Sequence, residues 1–257
     1  MKYVSKNGVI HFHDTPWDTK VLNGKTLEID FIEASNGNAK NIINQFCELK
    51  FRESYVLISL RIPAYSTELK KALLQSGFIT VEHTLNVSTH GLELNKIQHI
   101  LNRFPVRVGD YNTNDIDEIE SISELEFNFG RFFEDPLIHR KVAQKRNKNW
   151  VRNLVNEGAI IKVLKKGDIV AGFMAYKLVD DRVNLILGGV KNSYSHLAYG
   201  FWANILFNLR EVKGIQTLIS SSNIDVLNLY SYFGFRFEKP QVGFHKHLQK
   251  NPFIRKE

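Results

Sequence analysis

The stretch Ser221-Ser222-Asn223-Ile224-Asp225-Val226-Leu227-Asn228-Leu229-Tyr230-Ser231-Tyr232-Phe233-Gly234-Phe235 holds a short helix with its own start and stop. Asn223 follows an apolar run and opens the helix, a tyrosine closes it, and Gly234-Phe235 leads into another strand. Upstream, Gln216 to Ser220 reads as a strand and Tyr199 to Glu211 as a helix. Before these, residues 159–164, the turn Lys166-Gly167-Asp168 and residues 169–178 form a hairpin, and Asp180-Asp181 turns into a strand over 182–190. A short strand at 106–108, a helix over 116–126 and an irregular or helical region over 129–156 come earlier, and a last strand runs over 235–247. An antiparallel meander followed by a strand-helix-strand crossover predicts a mixed α/β sheet flanked by helices.

The same order of parts occurs in the first half. Tyr55 to Leu60 reads as a strand, Leu69 to Leu74 as an amphipathic helix, and Gly77-Phe78 opens a strand through Val87. In both places a glycine supplies the left-handed residue that ends a helix, and a phenylalanine goes under it into the core. The repeat indicates a duplication. A seam near Asn102 to Pro105 divides the chain into expected domains of 1–103 and 104–257. Asn223 and Tyr230 have no counterpart in the first copy.

Composition fits a globular chain of 257 residues, 43% hydrophobic and 24% charged. No apolar run approaches the roughly 20 residues that span a bilayer, and the start lacks the apolar core of a secretion signal. Cys47 is the only cysteine, which excludes an intramolecular disulfide and suits the cytoplasm. The net charge of +7 favours polyanionic ligands. The cations are spread along the chain without a nucleic-acid-binding signature, so phosphorylated small molecules fit as well as nucleic acid. His11 and His13 lie in strand-like sequence with no further ligand at motif spacing, and no metal is expected.

Leu187-Gly188-Gly189-Val190 ends a strand, and the polar loop after it opens an amphipathic helix. A helix start offers unpaired N–H groups to phosphate. The small residues Ala198 and Gly200 let a backbone approach an anion closely; a plain strand-to-helix turn has the same pattern. Paired glycines fit a bulge or a splayed strand, or simply relieve crowding, and nothing in the linear sequence reports whether an acyl group is acetyl or larger.

This order of parts resembles the GCN5-related N-acetyltransferases. That family carries a strand ending in Val, a Tyr four residues later, then Arg/Gln-x-x-Gly-x-Gly/Ala; here Val190, Tyr194, Ser195, Ala198 and Gly200 take those places. Ser195 stands for the usual Arg or Gln, and Ala198 for a glycine able to take a positive φ, which weakens the phosphate loop. The resemblance implies a mostly antiparallel sheet and acetyl-CoA as co-substrate, bound by Leu187, Gly188, Gly189, Val190, Ser195, His196, Leu197, Ala198, Tyr199, Gly200 and Asn223. It implies Tyr230 as proton donor to the departing thiolate, with Tyr232 as the nearby alternative. A core aromatic covering the Gly-Phe turn is the other reading of Tyr230.

Pro16-Trp17-Asp18-Thr19, Arg131-Phe132, Asp135-Pro136, Asn149-Trp150 and Phe244-His245-Lys246 together resemble the dTDP-fucosamine acetyltransferase group. Those enzymes acetylate a dTDP-4-amino-4,6-dideoxyhexose in lipopolysaccharide O-antigen synthesis and carry a truncated, degenerate acetyltransferase-like N-terminal domain. The likeness implies an acceptor site lined by 129–150, with Arg131, Phe132 and His245 at the substrate. Arg131 pairs there with the diphosphate, or else with Glu134 or Asp135 in a local turn. The expected partners are a nucleotide-linked amino sugar and a second copy of the chain, with no nucleic acid and no membrane. Two alternatives stand beside this one: a tandem aminoacyltransferase using charged tRNA, and a non-catalytic acyl-CoA or nucleotide-sugar binding module.

Overall fold

The structure, a computed structural model, describes residues 1–35 and 37–248. In chain order the elements are β1 (Lys2–Ser5), β2 (Gly8–Asp14), α1 (Pro16–Leu22), β3 (Lys25–Ala34), α2 (Ala39–Arg52), β4 (Tyr55–Pro63), α3 (Thr67–Gln75), β5 (Ile79–Thr89) and α4 (Leu94–Arg103). The second half continues with β6 (Arg107–Asp110), α5 (Ile116–Leu125), α6 (Arg140–Asn156), β7 (Ile160–Lys166), β8 (Ile169–Val179) and β9 (Arg182–Val190). A 3₁₀ turn (Asn192–Leu197) leads into α7 (Ala198–Asn208), β10 (Gly214–Ser220), α8 (Ile224–Tyr232) and β11 (Arg236–His247). No helix among the described residues is long and apolar enough to cross a membrane.

Packing divides the chain into two compact units. The first gathers Met1–Thr84, Phe129–Arg146 and the chain from Lys239; the second gathers Leu85–Asn128 and Asn147–Glu238. These bounds differ from the 1–103 and 104–257 expected from the sequence, and side-chain burial is the reason. Ile97 and Ile100 of α4 sit in a core with Phe201, Trp202 and Phe233 of the second unit. Phe132, Ile138 and Val142 instead pack with Val21, Val56 and Leu57, and Phe244 packs with Ile58 and Phe46, all in the first.

The strands of the first unit run in the order β1-β2-β3-β4-β11. Only β3 and β4 pair in parallel, over Lys25 to Ile29; the other neighbours are antiparallel. Tyr55 to Leu60 is buried without interruption, as expected of a strand covered on both faces. In the second unit the order is β10-β9-β8-β7-β6, with only β9 and β10 parallel.

The two Gly-Phe turns have the same geometry. Gly77 (φ 76°) and Gly234 (φ 82°) both take the left-handed conformation. After α3, Phe78 N donates to Leu73 O at 3.1 Å and Gly77 N to Leu74 O; after α8, Phe235 N donates to Tyr230 O at 3.1 Å and Gly234 N to Ser231 O. Both are Schellman caps, and both place a buried phenylalanine behind the glycine. Leu73 therefore occupies in the first unit the place of Tyr230 in the second.

Candidate active site

In the second unit β9 pairs with β8 along its whole length, from Arg182 opposite Val179 to Val190 opposite Gly172. With β10 it pairs only at Arg182, Val183 and Asn184, opposite Gly214, Ile215 and Gln216. Past Asn184 the parallel strands part. Among the described residues, alternate backbone groups of Leu185–Val190 on the β10 side then have no ladder partner. Ile186 is a bulge, since Leu185 and Leu187 lie opposite the adjacent residues Tyr176 and Ala175. The splay anticipated from the paired glycines is thus present.

The glycines are not open space. A Cβ on Gly188 would lie 2.6 Å from Met174 Sδ. One on Gly189 would run into Phe127 Cε1 and lie 3.0 Å from its Cζ.

After β9, Lys191 N donates to Ala171 O at 2.8 Å and extends the ladder. Its Nζ pairs with Glu118 at 2.7 Å. Among the described residues, no φ between Val190 and Gly200 is positive. Ala198 is helical (φ −57°, ψ −47°), so its Cβ strains nothing. The first amide of α7, Ala198 N, donates to Ser195 O, and Leu197 makes no side-chain capping bond to the amides after it. Ser195 and His196 are exposed beside them. Gly200 has a different task from the one its spacing implied: it is buried, and a Cβ there would lie 2.5 Å from Phe104 O. Its smallness admits the chain leaving α4.

Asn223 Oδ1 accepts from Val226 N at 3.4 Å and caps α8. Seven residues on, Tyr230 is 3% exposed, with its ring edge-on to Phe235 at 4.8 Å. Burial pushes its phenol well above the ordinary value; the Trp202 indole acts weakly the other way. Trp202 Nε1 makes no full hydrogen bond. Tyr199 stacks edge-on against Tyr232 at 5.5 Å.

The other three expected site residues meet inside the first unit. Arg131 is buried and pairs with Glu28 at 2.7 Å and Asp18 at 3.2 Å, partners 103 and 113 residues away, and not with Glu134 or Asp135. Burial works against its charge, but Glu28 and Asp18 outweigh burial and raise its pKa. With both carboxylates attached, the guanidinium holds the protein together and is not presented to a diphosphate. Arg146 reaches the same Asp18 at 2.6 Å and lies 4.7 Å over the Phe132 ring. Phe132 in turn stands edge-on to His245 at 5.8 Å. Asp135, absent from the sequence-based site, is the hub beside it: one carboxylate oxygen accepts from His245 Nδ1 at 2.6 Å and His247 Nε2 at 2.8 Å.

Asp135, His245 and His247 also bring three potential metal-ligating atoms within 4.8 Å of one another. Hydrogen bonds to a shared oxygen already account for that closeness. Burial pushes the Asp135 carboxyl up, and the two imidazoles outweigh it, holding the group well below the carboxylate range. Burial pushes His245 down against the pull of Asp135. The state consistent with both is an ionised Asp135 and a neutral His245 that donates through Nδ1–H.

A bulged strand parting from its parallel neighbour, followed by a turn, a helix and a second strand-helix unit, is the fold of the GCN5-related N-acetyltransferases. Solved structures with this likeness include a tandem GNAT protein from the clavulanic acid biosynthesis pathway (TM-score 0.57, 12% identity, 95% of this chain and 79% of that one). Another is the GCN5-related glucosamine N-acetyltransferase region of a fungal multi-domain GH3 β-N-acetylglucosaminidase (TM-score 0.62, 13% identity, 93% of this chain and 31% of that one). By sequence the chain is similar to the spore coat polysaccharide biosynthesis protein SpsD of Bacillus subtilis (strain 168), 24% identical over 250 residues, 93% of this chain and 83% of SpsD. No protein-family model matches the chain.

Proposed function

We propose that the chain is an acetyl-CoA-dependent N-acetyltransferase acting on the amino group of a nucleotide-linked sugar, in its narrowest form a dTDP-linked 4-amino-4,6-dideoxyhexose. The parting of β9 from β10 carries this reading, because it leaves alternate backbone groups of Leu185–Val190 without a ladder partner ahead of the turn into α7. The amino-sugar acceptor is supported by the name of SpsD, a polysaccharide biosynthesis protein, and by the fungal region, a glucosamine N-acetyltransferase.

Acetyl-CoA supplies an acyl group activated as a thioester. In this reading the amides of Leu187 to Val190 hold the pantetheine arm and donate to the carbonyl oxygen, where fixed donors act most strongly. The 3₁₀ turn and the start of α7, with Ser195 to Tyr199, take the phosphates through amides other than Ala198 N, which donates to Ser195 O. The departures at Ser195 and Ala198 remove side-chain help. Tyr230 holds a proton at its hydroxyl for the leaving sulfur, and burial keeps it there until the sulfur needs it.

The test is acetyl transfer to a panel of dTDP-4-amino sugars by wild type and Tyr230→Phe. The variant is expected to lose about 10²–10⁴-fold in kcat and to keep its KM for acetyl-CoA. An unchanged kcat removes Tyr230 from the mechanism; a wild type that neither binds acetyl-CoA nor acetylates any member of the panel overturns the reading.

A further inference from the structure

The two glycines of β9 read, in sequence, as a bulge, a splay or relief of crowding, and leave the length of the acyl group open. The packing around them bears on that length. Gly188 and Gly189 point to opposite faces of the strand, and each face is closed. Met174, buried and directly opposite Gly188 in the ladder, covers one. Phe127 covers the other: its ring edge lies against the Gly189 backbone and its centroid is 6.0 Å from that of Phe173. The missing side chains let their neighbours close down on the strand. The two walls differ in rigidity. Met174 belongs to the core formed with Phe201 and Leu206, whereas Phe127 is half-buried in the chain just after α5.

We infer that Phe127 sets the length of the acyl group, confining the donor to acetyl-CoA and excluding butyryl-CoA and longer chains. The inference rests on the acyl-CoA reading above, which puts the thioester beside Leu187–Val190, within a residue or two of the Phe127 ring. An acyl chain on that face lengthened by two methylenes has to displace an aromatic ring lying on backbone. A single methylene in such a pocket discriminates about 10–200-fold, and overpacking a filled site adds to that cost. Removal of the ring leaves a half-exposed apolar recess over Gly189, which a longer chain fills.

The experiment is calorimetric and needs no acceptor: dissociation constants of free CoA, acetyl-CoA and butyryl-CoA for wild type, Phe127→Ala and Phe127→Leu, with thermal unfolding as the check on folding. Wild type is expected to bind butyryl-CoA at least about tenfold more weakly than acetyl-CoA. Phe127→Ala is expected to bring the two within about threefold and to leave free CoA unchanged, with Phe127→Leu between. A wild type that binds both acyl-CoAs equally, or an acetyl preference unaltered in both variants, overturns the role of Phe127 while leaving the acyl-CoA reading intact. A folded wild type that binds none of the three ligands overturns the acyl-CoA reading itself. Gly189→Ala gives an independent check, because its Cβ collides with the Phe127 ring. It should weaken acetyl-CoA binding alone and recover when combined with Phe127→Ala; no recovery counts against the contact.

Discussion

Asp135 shows how one carboxylate can set the acid limit of a protein. It is ionised, fully enclosed and shared by two imidazoles. Its folded pKa is depressed, so its contribution is present above the unfolded value and fades as pH falls. His245 has the same sign: burial depresses it, so the unfolded chain takes up a proton near pH 6.5 that the folded chain refuses. Stability should therefore hold from about pH 8 to 7 and fall from about pH 6.5 downward. Urea midpoints measured across that range check this, and equal midpoints at pH 7.5 and 5.5 would sink it. Asp135→Asn should cost about 1–3 kcal/mol at neutral pH, since it takes away the charged acceptor of two buried hydrogen bonds while the neutral His245 leaves no charge stranded. His245→Gln should flatten the acid slope. Little of this hub was legible in the linear sequence. Asp18, Arg131, Asp135 and His245 each lay in a short motif, but no local period reports that they converge. Arg131 had acidic neighbours at Glu134 and Asp135, and a sequence reading offers those first; the partners it has come from α1 and β3. The one signal that survived is that Arg131-Phe132, Asp135-Pro136 and Phe244-His245 stood out together, and they meet in space.

At the scale of elements, the two strand-helix-Gly-Phe units share a cap and differ in what they open. Both parallel pairs part: β3 and β4 pair over Lys25 to Ile29, while β9 and β10 pair only over Arg182 to Asn184 and open earlier. Leu73 and Ser66 stand where the second unit has Tyr230 and Asn223, Ser66 making no side-chain capping bond. The first copy keeps the architecture and lacks the polar pair. The caps themselves were legible, because Gly-Phe after an amphipathic helix is a strong local signal. The parting of the strands was less so, since paired glycines also occur where strands merely crowd. Gly77→Ala and Gly234→Ala should each cost about 1–2 kcal/mol from the left-handed backbone. A new Cβ would meet side chains and no backbone: Lys246 Nζ at 2.5 Å from Gly77, and Glu93 Oε1 at 2.8 Å and Cγ at 3.1 Å from Gly234. Chemical denaturation gives the values, and a free substitution at either site would show that its helix ends otherwise in solution.

On the scale of the whole chain, the compact units are not successive. Residues 129–146 and β11 from Lys239 belong to the first, and 85–103 to the second. Helix and strand periodicity placed the elements after residue 104 and β4, α3 and β5 before it, but it carries no information about which core an element joins. Expression of residues 104–257 alone is the direct check. That piece keeps Phe132, Val242 and Phe244 without the β4 and α2 side chains they pack on, and it lacks Ile97 and Ile100. It should be insoluble or bind hydrophobic dyes, and a stable, cooperatively unfolding fragment would show that the division by packing is not a division of stability. The pairing of β4 with β11, Leu60 against Phe244, also has a consequence for synthesis. The first unit cannot finish its sheet when its own strands emerge from the ribosome. At about 5–20 residues per second it waits on the order of 10 s or more for its last strand. Throughout that time the β4 edge is unpaired, and a chaperone that shields nascent strand edges would have its longest engagement with the part of the chain made first.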